Sequence, residues 1–380
     1  MRIAIEMALT AGGKRGGDVY ADNLVRGLAS VDPLNEYFLF GYAFKDHARR
    51  ESSIPCPDRP NIRRLIKRWP QGLVDRLEWG MELPVIEMYM RREGMDLYHC
   101  AGPRLPHLSR VRSVATFHDL IPFAHPEFMP AAAVAHWQAC ERHAAATATR
   151  LIASSTATKR DLMEHLGVPE SKISMILLGV DREIFHGILD MEALAGARRR
   201  YAVPDHFLIS AGPFEPRRNW EAILRAASIL RSRGRDLGVV LTGGVVETAA
   251  GKLKSLAAEL KVPLVLTGYV PIKDLALLYN LAEAFVYPSF YDGFNLPLIE
   301  AMACGLPAVV TAVGALPEIA GGAASLAASP EAESVAEALA PVLTPEERDS
   351  FRARGLARAA ELTWEKTAAA TVKVYEEACR

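Results

Sequence analysis

Short apolar runs alternate with longer segments of helical character from one end of the chain to the other. Ile3-Ala4-Ile5, Tyr37-Phe38-Leu39-Phe40, Leu97-Tyr98-His99, Ser113-Val114-Ala115-Thr116-Phe117 and Arg150-Leu151-Ile152-Ala153 are too short for helices. Their apolar, β-branched and aromatic content reads as buried parallel strands. Between them lie helical stretches, one through Tyr20 to Leu28, another capped by Ser155, running to Leu166 and stopping at Gly167. The series restarts at Phe207-Leu208-Ile209-Ser210 and continues with Val239-Val240-Leu241, Leu264-Val265-Leu266 and Ala284-Phe285-Val286-Tyr287. Strand and helix in strict alternation predict an α/β protein with parallel sheets covered by helices.

A chain of 380 residues is too long for one ordinary core, so two domains of about 180 residues each are expected. The break is placed in the charged stretch between residues 180 and 202, which contains Arg198-Arg199-Arg200. The resulting limits are 1–185, 186–362 and a final helix, 363–380, with Trp364, Ala368, Val372 and Tyr375 on one face. The 44 basic and 45 acidic residues nearly cancel, which gives no support for nucleic-acid binding. The five cysteines are scattered, without a C-x-x-C pair, so neither a disulfide framework nor a zinc site is indicated and a reducing compartment is expected. The first residues read as a strand, with no positively charged leader before it. The longest uncharged run, Ala301 to Pro317, is broken by Gly305, Pro307 and Gly314 and is too short to cross a bilayer. The expectation is a cytoplasmic protein, peripheral to a membrane at most.

Candidate chemistry gathers where strands end. Pro288-Ser289-Phe290-Tyr291-Asp292-Gly293-Phe294-Asn295-Leu296-Pro297-Leu298-Ile299-Glu300-Ala301 follows a strand and places two carboxylates eight positions apart across a strand-to-helix turn. Pro297 suits the first turn of a helix, where its missing N–H is not needed. The N–H groups of that helix start can hold a pyrophosphate, Glu300 in the first turn can accept from ribose hydroxyls, and Asp292 from those of a sugar. Gly212-Pro213-Phe214-Glu215-Pro216-Arg217-Arg218-Asn219 repeats the pattern: two guanidinium groups suit a phosphate, and Asn219 reads as the cap of Trp220 to Leu230.

In the first half, Gly12-Gly13-Lys14-Arg15-Gly16-Gly17 follows the first strand, and its glycines allow close approach of a phosphate. The spacing is not that of the dinucleotide fingerprint. His118, in Thr116-Phe117-His118-Asp119-Leu120-Ile121-Pro122, ends another strand, with Asp119 suited to holding the turn. Gly268-Tyr269-Val270-Pro271 is a further strand-end loop. Arg59, Arg63, Arg64, Lys67 and Arg68 form a basic stretch without an acid, followed by Trp69, Trp79, Met81 and Met88. Basic groups beside aromatics suit an anionic membrane surface or a lipid-diphosphate acceptor.

The Asp292–Glu300 stretch resembles the two-carboxylate signature of the family 4 retaining glycosyltransferases, and the likeness extends through much of the chain. The resemblance implies the GT-B fold: two Rossmann-like domains facing each other across a cleft, with the last helix crossing back to the first. It implies that Gly16 and Gly17 lie near the donor's distal phosphate and that Arg217 and Arg218 neutralise the diphosphate. It further implies that Val270 lines the base pocket through its backbone, and that Asp292, Gly293, Phe294, Asn295, Leu296 and Glu300 hold the donor. His118 is then a positioning and electrostatic group beside the donor sugar. Three positions depart from the family: Asp292 where Glu is usual, Arg218 where Lys is usual, and Asn295 where Gly is usual. Asn tolerates a left-handed backbone, so the loop is expected to keep its shape.

The implied activity is metal-independent, cofactor-free retaining transfer, with His118, Arg218 and Asp292 as the catalytic set. A hexosyl group, mannose first and glucose next, moves from a nucleoside-diphosphate sugar to a glycan or lipid-linked acceptor in cell-surface polysaccharide synthesis. Two other readings stand beside it. The departures at Asp292 and Asn295 keep open a non-catalytic, nucleotide-binding partner subunit of the same fold. A nicotinamide-dependent oxidoreductase would need a glycine fingerprint and an acid closing the second strand. The glycine spacing and Gly41-Tyr42 do not supply them.

Overall fold

The computed structural model describes residues 1–7 and 16–380. The chain divides into two units, Met1–Leu178 together with Trp364–Arg380, and Gly179–Thr363. Each is built on one parallel sheet. In the first, β1 (Arg2–Glu6), β2 (Glu36–Tyr42), β3 (Ile62–Lys67), β4 (Leu97–Cys100), β5 (Arg112–Phe117), β6 (Arg150–Ala153) and β7 (Ile173–Met175) lie in the order β3-β2-β1-β4-β5-β6-β7. Central β1 sets the register, with Ile3 opposite Tyr37 on one side and Leu97 on the other. Ile3, Ala4 and Ile5 are fully buried, as a strand covered by helices on both faces requires. Phe40, Tyr98, Phe117 and Leu151 share one core cluster above this sheet.

β3 is the element least visible in the sequence. Part of the basic Arg59–Arg68 stretch forms this edge strand, where exposed Arg63 and Arg64 discourage pairing with another chain. Arg64 donates to the Ile54 carbonyl at 2.8 Å, Lys67 lies over the Tyr89 ring and Arg68 over that of Phe44.

The second unit carries β8 (Phe207–Ala211), β9 (Gly238–Thr242), β10 (Leu264–Gly268), β11 (Ala284–Tyr287), β12 (Ala308–Thr311) and β13 (Ser325–Ala327), in the order β10-β9-β8-β11-β12-β13. Trp220, Leu224, Val239, Val286 and Leu339 lie in its core. The break between units falls at Leu178, ahead of the expected residue 185. Residues beyond it are tied to the second unit: Phe185 packs on Tyr279, and Asn280 bonds both Ile188 N and His186 O. Arg198-Arg199-Arg200 is not a linker. It forms the last turn of the helix Met191–Tyr201, where cations complement the carbonyl ends, with Arg198 on Asp205 and Arg200 on Asp274.

The final helix, Trp364–Cys379, belongs to the first unit and packs along the helix Gly16–Val31. The approach depends on Gly27, where a Cβ would stand 2.6 Å from the Trp364 carbonyl oxygen. Its buried face is Trp364, Thr367, Ala368, Thr371, Val374, Tyr375 and Ala378, while Val372 is only partly covered. Tyr375 closes a buried chain: its hydroxyl is 2.6 Å from His99 Nδ1, and His99 Nε2 is 2.9 Å from Thr116 Oγ1.

Candidate functional site

In an open parallel sheet, the crevice for a ligand opens at the carboxyl ends of the strands where the strand order reverses. In the second unit that place is between β8 and β11, and the two loops singled out from the sequence leave those strands. Backbone bonds stitch the neighbouring loops together: Gly212 N to Thr242 O, Phe214 N to Gly244 O, Gly243 N to Gly268 O and Phe290 N to Arg217 O, all 2.8–2.9 Å.

The loop after β8 is clamped to the loop after β11 by Arg217. Its Nη1 donates to Tyr291 O at 2.9 Å and to Asp292 Oδ2 at 3.0 Å, and its Nη2 lies 2.6 Å from Glu215 Oε2. Both the Arg217 and Asp292 side chains are largely buried. Arg218 is held differently. Nη1 donates to Ala211 O at 3.0 Å, Nε lies 3.4 Å from Glu215 Oε2, and the guanidinium stands 5.6 Å from the Tyr287 ring centre. Its seat needs Gly212, whose φ of +114° and missing Cβ make room; a Cβ there would fall 1.7 Å from Arg218 Nη1.

Asp292 Oδ2 also accepts from Asn295 Nδ2 at 3.2 Å, and Asn295 Oδ1 accepts from Leu298 N at 2.8 Å. Asn295 is therefore the N-cap of the helix Leu296–Ala303, with φ −129°. The left-handed backbone expected for it is not adopted, because capping requires the extended region. Asn219 shows the converse. It is left-handed, φ 53°, makes no side-chain cap bond, and its amide donates to Pro330 O at 2.8 Å. The sequence expectation of a cap there fails because the side chain turns to a neighbouring loop.

Gly293 is buried, and Phe294 and Leu296 are partly covered at the helix start. Glu300 lies in the second turn of this helix, not the first, and is partly buried. Burial pushes its carboxyl up to about 8, with the neighbouring Tyr279 hydroxyl pulling the other way. Val270 is buried in the loop after β10, beside exposed Tyr269.

In the first unit the order reverses between β1 and β4. Gly16 and Gly17 open the helix Gly16–Val31 that follows β1, and among the described residues nothing lies within 4 Å of where a Gly17 Cβ would be. Gly12, Gly13, Lys14 and Arg15 lie outside the described residues. His118 follows β5. Its Nε2 is 3.1 Å from Ala101 O, and since a carbonyl only accepts, the proton is on Nε2 and Nδ1 is the accepting nitrogen. Burial drives the imidazole down to about 4, so near neutral pH it is an uncharged acceptor and not a cation. Tyr20 packs edge-on against it at 4.9 Å, and the His118 carbonyl accepts from the Ser154 and Thr158 hydroxyls. Asp119 Oδ1 accepts from Ile121 N and holds the turn.

Sequence reasoning missed Glu215, which engages both arginines, Gly212, which makes room for Arg218, and Tyr287, on whose ring Arg218 rests. Glu215 had a signal: an acid three residues before Arg218 in the same loop. Among the described residues no group of His, Cys, Asp and Glu is placed to hold a metal ion, and no helix is long and apolar enough to cross a membrane.

Two parallel-sheet Rossmann-like units, with cationic and capped-helix loops at the reversal of the second, define the class of GT-B glycosyltransferase folds. Residues 14–184 match the family model for Glycosyltransferase Family 4, and residues 198–357 that for Glycosyl transferases group 1. The chain belongs to the family 4, group 1 glycosyltransferases. It is similar to the O-antigen chain mannosyltransferase B of Escherichia coli, 28% identical over 379 residues and covering 94% of each chain. Among solved structures, sucrose-phosphate synthase from Thermosynechococcus elongatus has the same fold at TM-score 0.77 and 20% identity, covering 99% of this chain and 98% of that one. Anabaena Alr3699/HepE, solved in complex with UDP and glucose, aligns at TM-score 0.75 and 15% identity over 99% of this chain and 100% of that one.

Proposed function

We propose that this glycosyltransferase moves a hexosyl group, mannose first and glucose next, from a nucleoside-diphosphate sugar to a glycan or lipid-linked acceptor, with retention at the anomeric carbon. Its setting is the cytoplasmic synthesis of a cell-surface polysaccharide. The observation that carries the reading is the clamped pair of loops at the β8/β11 reversal, where Arg218 and the Asn295-capped helix start face one strand-end crevice. The mannosyltransferase name of the Escherichia coli relative supports the choice of mannose.

The difficult event is departure of a diphosphate while the anomeric carbon becomes cationic. Arg218, with the N–H groups at the start of the helix Leu296–Ala303, takes up the charge on the leaving group. Arg217 acts in another way. Its donors are committed to Tyr291 and Asp292, so it fixes the loop that carries Asp292, Gly293 and Phe294. Glu300 receives the ribose hydroxyls and Val270 lines the base side. His118, uncharged and accepting through Nδ1, orients a sugar hydroxyl. Attack comes from the face the diphosphate leaves, with the departing phosphate taking the acceptor proton.

The test is nucleotide release from GDP-, UDP-, ADP- and dTDP-sugars by the wild-type protein and by Arg218→Ala and Glu300→Ala. Removing Arg218 is expected to cost about 3 kcal/mol of transition-state stabilisation, roughly a hundredfold in rate. Release from one donor, lost in both variants, carries the reading, and the product's anomeric configuration, read by proton NMR, decides retention. No release and no nucleotide binding by the wild-type protein would sink the donor-site assignment.

A further inference from the structure

Glu215 stands among the arginines of the second unit with the wrong charge for a diphosphate site. It lies in the loop after β8, and a single oxygen, Oε2, reaches both guanidiniums, 2.6 Å from Arg217 Nη2 and 3.4 Å from Arg218 Nε. The backbone fixes this arrangement, because Arg218 N donates to Glu215 O at 2.9 Å across the turn Pro216–Arg218. Each arginine also has anchors of its own. Arg217 is braced by Tyr291 O and Asp292 Oδ2, and Arg218 by Ala211 O, with the Tyr287 ring against its face. The arginine side chains are largely buried, whereas that of Glu215 is 41% exposed.

Pair for pair, Asp292 and Glu215 cancel the charges of Arg217 and Arg218. A diphosphate arriving at Arg218 meets a guanidinium whose Nε already leans on a carboxylate, and it brings its own oxygens towards that carboxylate. A group that only steadied the arginines would need no charge, since a glutamine oxygen accepts from the same donors. The negative charge is what a bracing role leaves unexplained.

Resting on the transferase reading, we propose that Glu215 sets how tightly this site holds the nucleotide, and that it weakens the nucleoside diphosphate product more than the sugar donor. The asymmetry follows from the reaction. Transfer breaks the bond between the anomeric carbon and the β-phosphate oxygen and leaves the electron pair on that oxygen. The product therefore carries one negative charge that the donor lacks, and its repulsion by Glu215 is the greater. Arg218 and the start of the helix Leu296–Ala303 attract the diphosphate, and Glu215 keeps that attraction from retaining the spent nucleotide.

The test is titration calorimetry of GDP, UDP, ADP and dTDP and of the matching nucleotide sugars at low and at physiological salt. The full chain is used as wild type, Glu215→Gln, Glu215→Asp and Arg218→Ala, with thermal melts to show that each variant is folded. For the nucleotide that the wild-type protein binds, Glu215→Gln is expected to tighten the diphosphate about three- to tenfold and the nucleotide sugar by a smaller factor. The gain should shrink at the higher salt, where an exposed carboxylate is screened. Glu215→Asp keeps the charge and should show no such gain. Unchanged or weaker diphosphate binding by folded Glu215→Gln, an equal gain for donor and product, or an equal gain in Glu215→Asp overturns the proposal. The donor-site reading is judged separately: it stands if the wild-type protein binds one nucleotide and Arg218→Ala weakens it about tenfold or more, whatever Glu215→Gln does. If no nucleotide binds the wild-type protein, both fall.

Discussion

The Arg217 and Asp292 side chains are 8% and 7% exposed with their charged atoms 3.0 Å apart, so Asp292→Ala strands a guanidinium away from water. Removing one partner of a buried pair costs about 3–5 kcal/mol. Arg217 keeps Glu215 at 2.6 Å, but that carboxylate is 41% exposed and partly screened. It blunts the loss without cancelling it, which places the cost near the lower limit, about 3 kcal/mol. For a domain of this size 1 kcal/mol shifts Tm by about 2–4 °C, so the second unit should melt roughly 6–12 °C lower.

Differential scanning calorimetry of Asp292→Ala, Asp292→Asn, Arg217→Met and the double variant Asp292→Ala/Arg217→Met reads the effect. The asparagine, which still presents an acceptor oxygen to Arg217, should lose less than the alanine. The double variant should be more stable than Asp292→Ala alone, because no charge is left without its partner. An alanine variant melting within about 2 °C of wild type, with no recovery in the double variant, would refute the assignment of Arg217 as a clamp.

Gly212→Ala should expel Arg218 from the Ala211 carbonyl, since the new Cβ would overlap Nη1. Nucleotide release should then fall to within a few-fold of the Arg218→Ala level, and near wild-type turnover would contradict the seat described. Glu300, at about 8, holds a proton when folded that the unfolded chain releases near the ordinary 4.5, so its contribution to stability is complete below that value and is lost as pH rises to about 8. Glu300→Gln should therefore gain stability over wild type progressively across that window, read as urea midpoints at about pH 5 and 8. A difference independent of pH argues against a buried, protonated Glu300. Gly27→Ala forces the helices Gly16–Val31 and Trp364–Cys379 apart and should cost about 1–3 kcal/mol in the unfolding of the first unit. A melt unchanged by it would mean that this contact is not close-packed.

Strands β1, β5, β8 and β11 were legible because burial on both faces demands short, nearly apolar runs, whereas the equally buried β12, Ala308–Thr311, was read only as part of a longer uncharged stretch. β3 was not legible, because an edge strand carries arginines on its exposed positions and reads as a basic surface stretch. Ser155 and Gly167 bounded their helix as the sequence indicated, with Ser155 Oγ accepting from Thr158 N at 3.1 Å and Gly167 at φ 63°. Asn219 and Asn295 show the limit of that reasoning. Both stand one residue before a helix, yet only Asn295 caps, since what an asparagine bonds depends on which loop lies beside it. The division of labour between adjacent Arg217 and Arg218 was hidden for the same reason. It is set by Asp292, Tyr291 and Ala211, residues distant in sequence or on the other side of a turn.

The two sheets reverse their strand order in the same way, and the described residues at the two reversals differ in chemistry. In the second unit an arginine is fixed on the end of β8 and a capped helix begins after β11, so the crevice offers donors. In the first, among the described residues, Glu6 ends β1 and Asp75 takes up the hydroxyl of Tyr42 and the guanidinium of Arg104. On the proposed reading the diphosphate is held by Arg218 and the start of the helix Leu296–Ala303, so the charge of Asp75 should not bear on it. Asp75→Asn should therefore leave the affinity for GDP, read by titration, within a few-fold of wild type. If it changed that affinity by about tenfold or more in a folded variant, the assignment of the diphosphate to the second reversal would fall.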